Sequence, residues 1–163
     1  LVSRGLGDVY KRQIYNNLIK LTRNKNLYLN LKNNDTFSDR LIILLFHFGF
    51  FLKYYKKEIS KQESQDLFDF FIKQIELSIR EIGYGDVSVN KKMKDYVNLF
   101  FSILEKIEKW DILKMSEKKQ TLGDLMNIKD DNDLFVLYFN KFSVFLTKNS
   151  LKIFTKDILD LKF

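Results

Sequence analysis

The side chains with the greatest chemical range in this sequence are a single histidine, His47, and an arginine seven positions before it, Arg40. On a helix, this spacing places two residues on the same face, two turns apart. A histidine can transfer protons near neutral pH, but such a role needs a partner group, and the sequence shows none for His47. We therefore interpret His47, which lies between two phenylalanines, as a core residue satisfied by one hydrogen bond. Arg40 is interpreted as the partner of a nearby carboxylate.

Known catalytic motifs are absent from the chain. No P-loop, G-x-S-x-G, H-E-x-x-H or EF-hand spacing occurs. The glycines at Gly83 and Gly85 follow a predicted helix and not a strand, so they do not form a dinucleotide site. There is no cysteine and one histidine, which excludes thiolate zinc sites, iron–sulfur clusters and multi-histidine sites. The sequence predicts a binding protein without enzyme activity and without a cofactor.

The composition is that of a folded basic protein. The chain has 163 residues, of which 45% are hydrophobic and 15% aromatic, and it contains no proline. This length suffices for one domain with a core, and the lack of proline favours helices. The formal net charge of +7 favours anionic partners such as phospholipid headgroups, RNA or an acidic protein.

The most apolar segment, residues 41–52, lies within a helix predicted over residues 37–57. A membrane-spanning helix needs about 20 apolar residues, so this segment is too short to cross a bilayer. A helix that is apolar on all sides is usually the buried centre of a bundle. We expect Asp35, Thr36 or Ser38 to cap its start by accepting a backbone N–H.

Two long amphipathic helices are predicted over residues 61–82 and 88–109. The predicted core positions of the first helix recur at helical spacing. They are Phe68, Ile72, Ile75, Ile79 and Ile82. Those of the second are Val89, Met93, Tyr96, Phe100, Ile103, Ile107 and Trp110. On the first helix, Phe70 and Leu77 fall on the opposite side from the core, so either another helix covers them or they form a partner-binding face.

Between these helices lies a glycine corner, residues 80–88. Gly83 is predicted to end the first helix in the left-handed conformation, and Gly85 to let the chain reverse. Asp86 or Ser88 is expected to cap the second helix. The second helix then opens with Lys91, Lys92 and Lys94. Positive charge at this end opposes the helix dipole, so we predict that these three lysines serve a partner and not stability.

The predicted fold class is all-α: a single-domain bundle of about five to seven helices, with the two long helices joined at the Gly-x-Gly corner. Shorter helices are predicted over residues 14–22, 116–122 and 134–146. Residues 1–13 resemble translated adapter sequence and are expected to be non-native. The domain is expected to occupy residues 14–163, with a truncated C-terminal end.

Several of these segments resemble the ubiquinol–cytochrome c chaperones, assembly factors for respiratory complex III of mitochondria and alphaproteobacteria. The resemblance runs from residue 14 to residue 127 and is strongest in residues 67–69, 80–87 and 91–94. The sequence departs from the family pattern at Ile42 and at Gln74, where the family usually has an acidic residue. The residues that carry the resemblance, which we interpret as structural, are Asp35, Thr36, Arg40, His47, Asp69, Arg80, Glu81, Gly83, Gly85 and Asp86.

The resemblance implies a helical chaperone that binds newly made cytochrome b and promotes assembly of the cytochrome bc1 complex. It also implies a small partner subunit and a place near the ribosomal exit tunnel. We expect contact with an anionic membrane and no contact with DNA. The expected location is the cytoplasmic face of the inner membrane, or the matrix side in a mitochondrion. The predicted partner-binding residues are Phe70, Leu77, Lys91, Lys92 and Lys94.

Two other functions remain open from the residues alone. A peripheral membrane protein that handles quinone or lipid would use the apolar segment 41–52. A ribosome- or RNA-binding module would use aromatic residues beside lysines, as at Lys53-Tyr54-Tyr55-Lys56-Lys57, which could stack on single-stranded RNA.

Overall fold

The fold is a bundle of helices around one helix that the others enclose. It was obtained as a computed structural model that describes residues 7–29, 31–32, 36–129 and 133–156. Six α-helices form within these residues, which confirms the all-α prediction. They are α1 (Asp8–Thr22), α2 (Phe37–Tyr55), α3 (Lys61–Glu81), α4 (Asp86–Ile107), α5 (Met115–Leu125) and α6 (Asp133–Lys148). Short 3₁₀ helices span Lys25–Tyr28, Trp110–Ile112 and Leu151–Thr155.

Helix α2 is the centre of the bundle, as its apolar sequence predicts. It packs against α1, α4 and α6, and all residues from 43 to 51 are buried. Gly49 allows α4 to approach closely, because a Cβ there would lie 3.1 Å from side-chain atoms of Ile103 and Ile107. Phe48 stacks on Phe71 of α3 and on Phe100 of α4, with ring centroids 3.7 and 5.1 Å apart. One aromatic side chain thus joins three helices.

The start of α2 is fixed by a capping box. Thr36 accepts the backbone N–H of Asp39 at 3.1 Å, and the Asp39 carboxylate accepts the backbone N–H of Thr36 at 3.2 Å. Two otherwise unpaired donors are satisfied in this way. Thr36 is therefore the cap among the three residues expected, whereas Asp35 lies outside the described residues.

The predicted core stripe of α3 is confirmed at Ile75 and Ile79 but is otherwise displaced by part of a turn. Its buried residues are Leu67, Phe71, Ile75 and Ile79. Phe68 is only half-buried and Ile82 is 49% exposed. The reason is that α3 contacts α4 on one side and α1 on another, so its buried face points between them. The stripe of α4 is confirmed more closely, with Val89, Phe100, Ile103, Ile107 and Trp110 buried.

The corner between α3 and α4 depends on one glycine and not on two. Gly83 has φ = 104°, and its N–H donates to the Arg80 carbonyl at 2.9 Å. Gly85 has an ordinary φ of −72° and is itself the residue before α4, without a side-chain cap. The expectation that Asp86 or Ser88 caps α4 is therefore wrong. Asp86 instead accepts a hydrogen bond from Arg80 at 2.5 Å.

Serine substitutions at the two glycines separate these roles. Gly83→Ser is expected to lower the free energy of unfolding by about 1–2 kcal/mol, because a Cβ is unfavourable at positive φ. Gly85→Ser is the matched control and should be neutral, since serine is a good residue before a helix and the space is open. Urea unfolding followed by circular dichroism measures both. Equal losses in the two variants would contradict this account of the corner.

Residues 8–13, expected to be non-native, form the first turns of α1. Buried residues of α1 begin only at Ile14. The helical conformation of this segment does not bear on its origin, so the expectation stays a prediction.

Candidate functional site

The α3–α4 corner presents an apolar surface to solvent. All residues from 81 to 88 are exposed, and three of them are large apolar or aromatic side chains. Ile82 is 49% exposed, Tyr84 42% and Val87 86%. We call these three residues the corner patch. Clustered apolar residues on a surface are typical of sites that bind another protein or a membrane.

The lysines predicted to serve a partner lie beside the corner patch. Lys91 and Lys94 are exposed on the first turns of α4. The ammonium of Lys92 lies 4.5 Å from the centre of the Tyr84 ring, a cation–π distance. Within the described part of the chain, none of these three lysines forms an ion pair. A partner with an apolar surface and negative charge would complement this end of the bundle.

Arg80 orients the corner. It contacts Glu76 in the preceding turn at 3.1 Å and Asp86 across the corner at 2.5 Å. These carboxylates raise the pKa of the guanidinium, chiefly through the hydrogen bond to Asp86. The Arg80 side chain is exposed and that of Asp86 more so, and therefore this pair positions the two helix ends more than it stabilises the fold. Glu81 is also exposed.

Phe70 and Leu77 do not share an open face. Phe70 is half-buried against α1, with its ring 6.1 Å from that of Tyr15 and 5.4 Å from the guanidinium of Arg12. Leu77 remains 43% exposed. The sequence left open whether another helix covers these residues or whether they form a partner-binding face. For Phe70, helix α1 is the covering helix. Asp69, another residue of the family pattern, is exposed and accepts a hydrogen bond from Gln65 at 2.9 Å.

His47 lies in the core, as interpreted from the sequence, but with two hydrogen bonds instead of one. It is fully buried, with Nδ1 2.8 Å from the Ile43 carbonyl and Nε2 2.6 Å from the Tyr138 hydroxyl. The carbonyl can only accept, so Nδ1 carries the proton and Nε2 accepts from Tyr138. Burial lowers the pKa of His47 to about 4, so the ring is neutral at pH 7. This pair joins α2 to α6.

Arg40 lies elsewhere, at a cleft between α1, the first 3₁₀ helix and the start of α2. The cleft has a volume of about 470 Å³. We call it the basic cleft. Its lining residues are Tyr15, Ile19, Thr22, Arg23, Lys25, Tyr28, Phe37, Arg40, Leu41, Leu44 and Ser78. Its lining residues all lie within residues 14–127, the stretch over which the sequence resembles the family.

Three functional or structural residues were not found from the sequence. Asp39 had a signal, because threonine followed three positions later by an acid is a capping-box spacing. Tyr138 had none, since its partner His47 is 91 positions away. Ser78 reaches the basic cleft from α3, and only the packing of α3 on α1 places it there.

The described residues form an all-helical bundle with two accessible surface features. Within the described residues, no cluster of metal-ligating side chains is present. No helix among these residues combines the length and apolar character needed to cross a membrane. The features most accessible to a partner are the corner patch with its lysines and the basic cleft.

The family is shown by comparison with known proteins. A family model described as ubiquinol-cytochrome C chaperone matches residues 29–111, which is half of the chain. The chain belongs to the ubiquinol-cytochrome C chaperone family. The match covers α2, α3, the corner and α4. No curated protein and no solved structure is significantly similar to the chain.

Proposed function

We propose that this protein binds newly made cytochrome b and promotes its assembly into the cytochrome bc1 complex, without catalysing a reaction. The observation that carries the proposal is the family match over the segment that contains the corner. A role as a chaperone in complex III biogenesis follows from the family. Cytochrome b as the client is the finer step that we propose here.

The corner patch suits a client that is itself a membrane protein. Newly made segments of such a client expose apolar surface, which Ile82 and Val87 can contact. Apolar contact alone does not select a partner, whereas neighbouring charge does. Lys91 and Lys94 supply that charge, and they favour a site of action beside anionic lipid or ribosomal RNA. We propose a location at the inner face of the membrane, with a small partner subunit and the ribosomal exit as further contacts.

The apolar segment 41–52 does not support the alternative in which it inserts into lipid to handle quinone. Its residues 43–51 are buried within the bundle, so they present no surface to a bilayer. The aromatic residues of the Lys53–Lys57 segment are engaged as well. Tyr54 donates to Asp111 and Tyr55 donates to the Asn149 carbonyl. Their rings are therefore poorly placed to stack on RNA bases.

Capture of the client tests the proposal. The tagged protein is expressed with pulse-labelled cytochrome b, and the label that co-purifies is measured. The triple variant Ile82→Ser, Tyr84→Ser, Val87→Ser is expected to capture at least about tenfold less cytochrome b, because these three side chains supply most of the apolar contact.

The matched control replaces three exposed apolar residues on other elements, Ile112, Leu137 and Val144, by serine. This control should capture cytochrome b as the unaltered protein does. Absence of cytochrome b from the unaltered protein would contradict the client, and equal losses in both triple variants would contradict the corner patch as the binding surface.

A further inference from the structure

The basic cleft is lined by both cationic and apolar side chains, which we call its charged half and its apolar half. Its volume of about 470 Å³ lies within the range of about 300–1,000 Å³ that is usual for small-molecule sites. It is formed where α1 and the first 3₁₀ helix meet the start of α2, with Ser78 of α3 at its edge. No part of the proposed chaperone function uses it.

Three cationic side chains line the charged half: Arg23, Lys25 and Arg40. Arg23 and Lys25 are exposed, and within the described part of the chain neither forms an ion pair. Among the residues that the structure describes, no carboxylate lines the cleft. The charges of Arg23 and Lys25 favour an anion, and an arginine guanidinium matches the geometry of a phosphate.

The apolar half continues into the core. Leu41 and Leu44 are buried, and Ile19 is half-buried beside them. Phe37 is 39% exposed at the start of α2 and lines the same cleft. An apolar group in the cleft would cover this surface and would contact side chains that are held in place by the core.

Tyr15 and Ser78 add polar groups to the lining of the cleft. Burial raises the pKa of the Tyr15 phenol. The phenol therefore keeps its proton at neutral pH and can donate a hydrogen bond to a ligand oxygen.

The walls of the cleft distinguish a lipid-like ligand from a peptide. Most lining residues belong to helices α1, α2 and α3, whose backbone groups are bonded within the helices. A bound peptide would bring N–H and C=O groups that need partners, and helix sides supply few of them. An alkyl chain has no such requirement. A phosphate ester that carries an apolar chain therefore complements both halves.

We propose that the basic cleft binds a phosphate-bearing amphiphile, with the phosphate against Arg23 and Lys25 and the apolar chain along Ile19, Phe37 and Leu41. Such a molecule is either a membrane phospholipid, whose headgroup and upper chain enter the cleft, or a soluble phosphate ester that itself carries an apolar chain. The proposal concerns a ligand site and does not depend on the identity of the client.

Titration of the full chain with short-chain lipid tests the site. The probe is dihexanoyl phosphatidylglycerol kept below its micelle concentration, and binding is measured by calorimetry and by NMR shifts of the Ile19 and Leu41 methyl groups. Glycerol 3-phosphate, inorganic phosphate and an acidic Leu-Glu peptide are titrated in parallel. We expect the lipid to bind at least about tenfold more tightly than either soluble phosphate, because only the lipid fills the apolar half.

Two variants assign the binding to the cleft. Arg23→Gln with Lys25→Gln should weaken lipid binding by about tenfold or more. Lys61→Gln with Lys109→Gln, a control that removes the same charge from two exposed lysines outside the cleft, should leave it unchanged. Phe37→Ser should weaken binding of the lipid but not of glycerol 3-phosphate. Thermal unfolding of each variant confirms that it is folded.

Three results would overturn the proposal. The first is the absence of methyl shifts with the lipid. The second is binding of inorganic phosphate, glycerol 3-phosphate or an acidic Leu-Glu peptide as tightly as the lipid. The third is equal weakening by the cleft and control double variants. Cytochrome b capture by the cleft variant is measured separately, so a failure of this site is distinguishable from a failure of the chaperone proposal.

Discussion

Replacing Phe48 by alanine is expected to lower the free energy of unfolding by about 3–5 kcal/mol, the usual range for a buried phenylalanine. Phe48 is 1% exposed and its ring lies between those of Phe71 and Phe100. The substitution leaves a cavity where α2, α3 and α4 meet, and Phe71 and Phe100 each lose their ring contact with Phe48. Chemical denaturation at pH 7 measures the loss.

Phe101→Ala is the matched control for this prediction. Phe101 lies next to Phe100 on α4 but is 53% exposed. Its removal should cost about 1 kcal/mol or less, because surface substitutions seldom cost more. A loss below about 1.5 kcal/mol for Phe48→Ala would show that α2 is not the centre of the core.

Acid is expected to destabilise the fold through His47. The pKa of this residue is about 4 in the folded protein, against 6.5 in an unfolded chain. Between these values the unfolded state binds a proton that the buried ring does not accept, so stability falls as the pH falls. The contribution of His47 to the loss is about 1 kcal/mol between pH 7 and 5.5 and about 3 kcal/mol by pH 4.

His47 is the single histidine of the chain, so its imidazole resonances need no assignment by mutation. In the folded protein they should not titrate above pH 5, and urea unfolding at pH 7 and 5.5 should show the stated loss. Carboxylates lower the stability mainly below about pH 5, because their pKa values lie at about 4. The loss between pH 7 and 5.5 therefore reports on His47 more specifically than the loss at lower pH. An imidazole that titrates near 6.5 with unchanged stability would contradict the buried hydrogen-bonded pair.

Helix positions were predictable because helical periodicity is a local property. The segment 41–52 is apolar on every side, and the central place of α2 follows from that pattern alone. The positive φ of Gly83 was likewise predicted from the way helices end. Both features depend on residues that are neighbours in sequence.

The faces of α3 were less predictable because they depend on which helices lie beside it. An α-helix with apolar residues at Phe68, Phe70 and Phe71 permits several buried stripes, and the packing of α1 and α4 selects one. For the same reason, Phe70 is covered by α1 although it lies opposite the predicted core. The predicted cap of α4 was wrong for a different reason: the Asp86 carboxylate accepts a hydrogen bond from Arg80 and not from the α4 backbone.

The basic cleft could not be predicted from spacing. Its residues come from four separate elements, and Arg23 is distant in sequence from Ser78. They lie within the stretch that resembles the family, yet only the fold shows that they share one cavity. The corner patch was recognised as a segment, whereas its exposed side chains were not predicted individually.

The most direct test of the central claim, assembly of complex III, is deletion of the gene in the native host followed by measurement of complex III and cytochrome b. We expect both to fall to a small fraction of their normal levels. Expression of the unaltered protein or of the Ile112→Ser, Leu137→Ser, Val144→Ser control should restore them, whereas the triple variant of the corner patch should not. Normal levels of complex III and cytochrome b in the deletion strain would contradict the account.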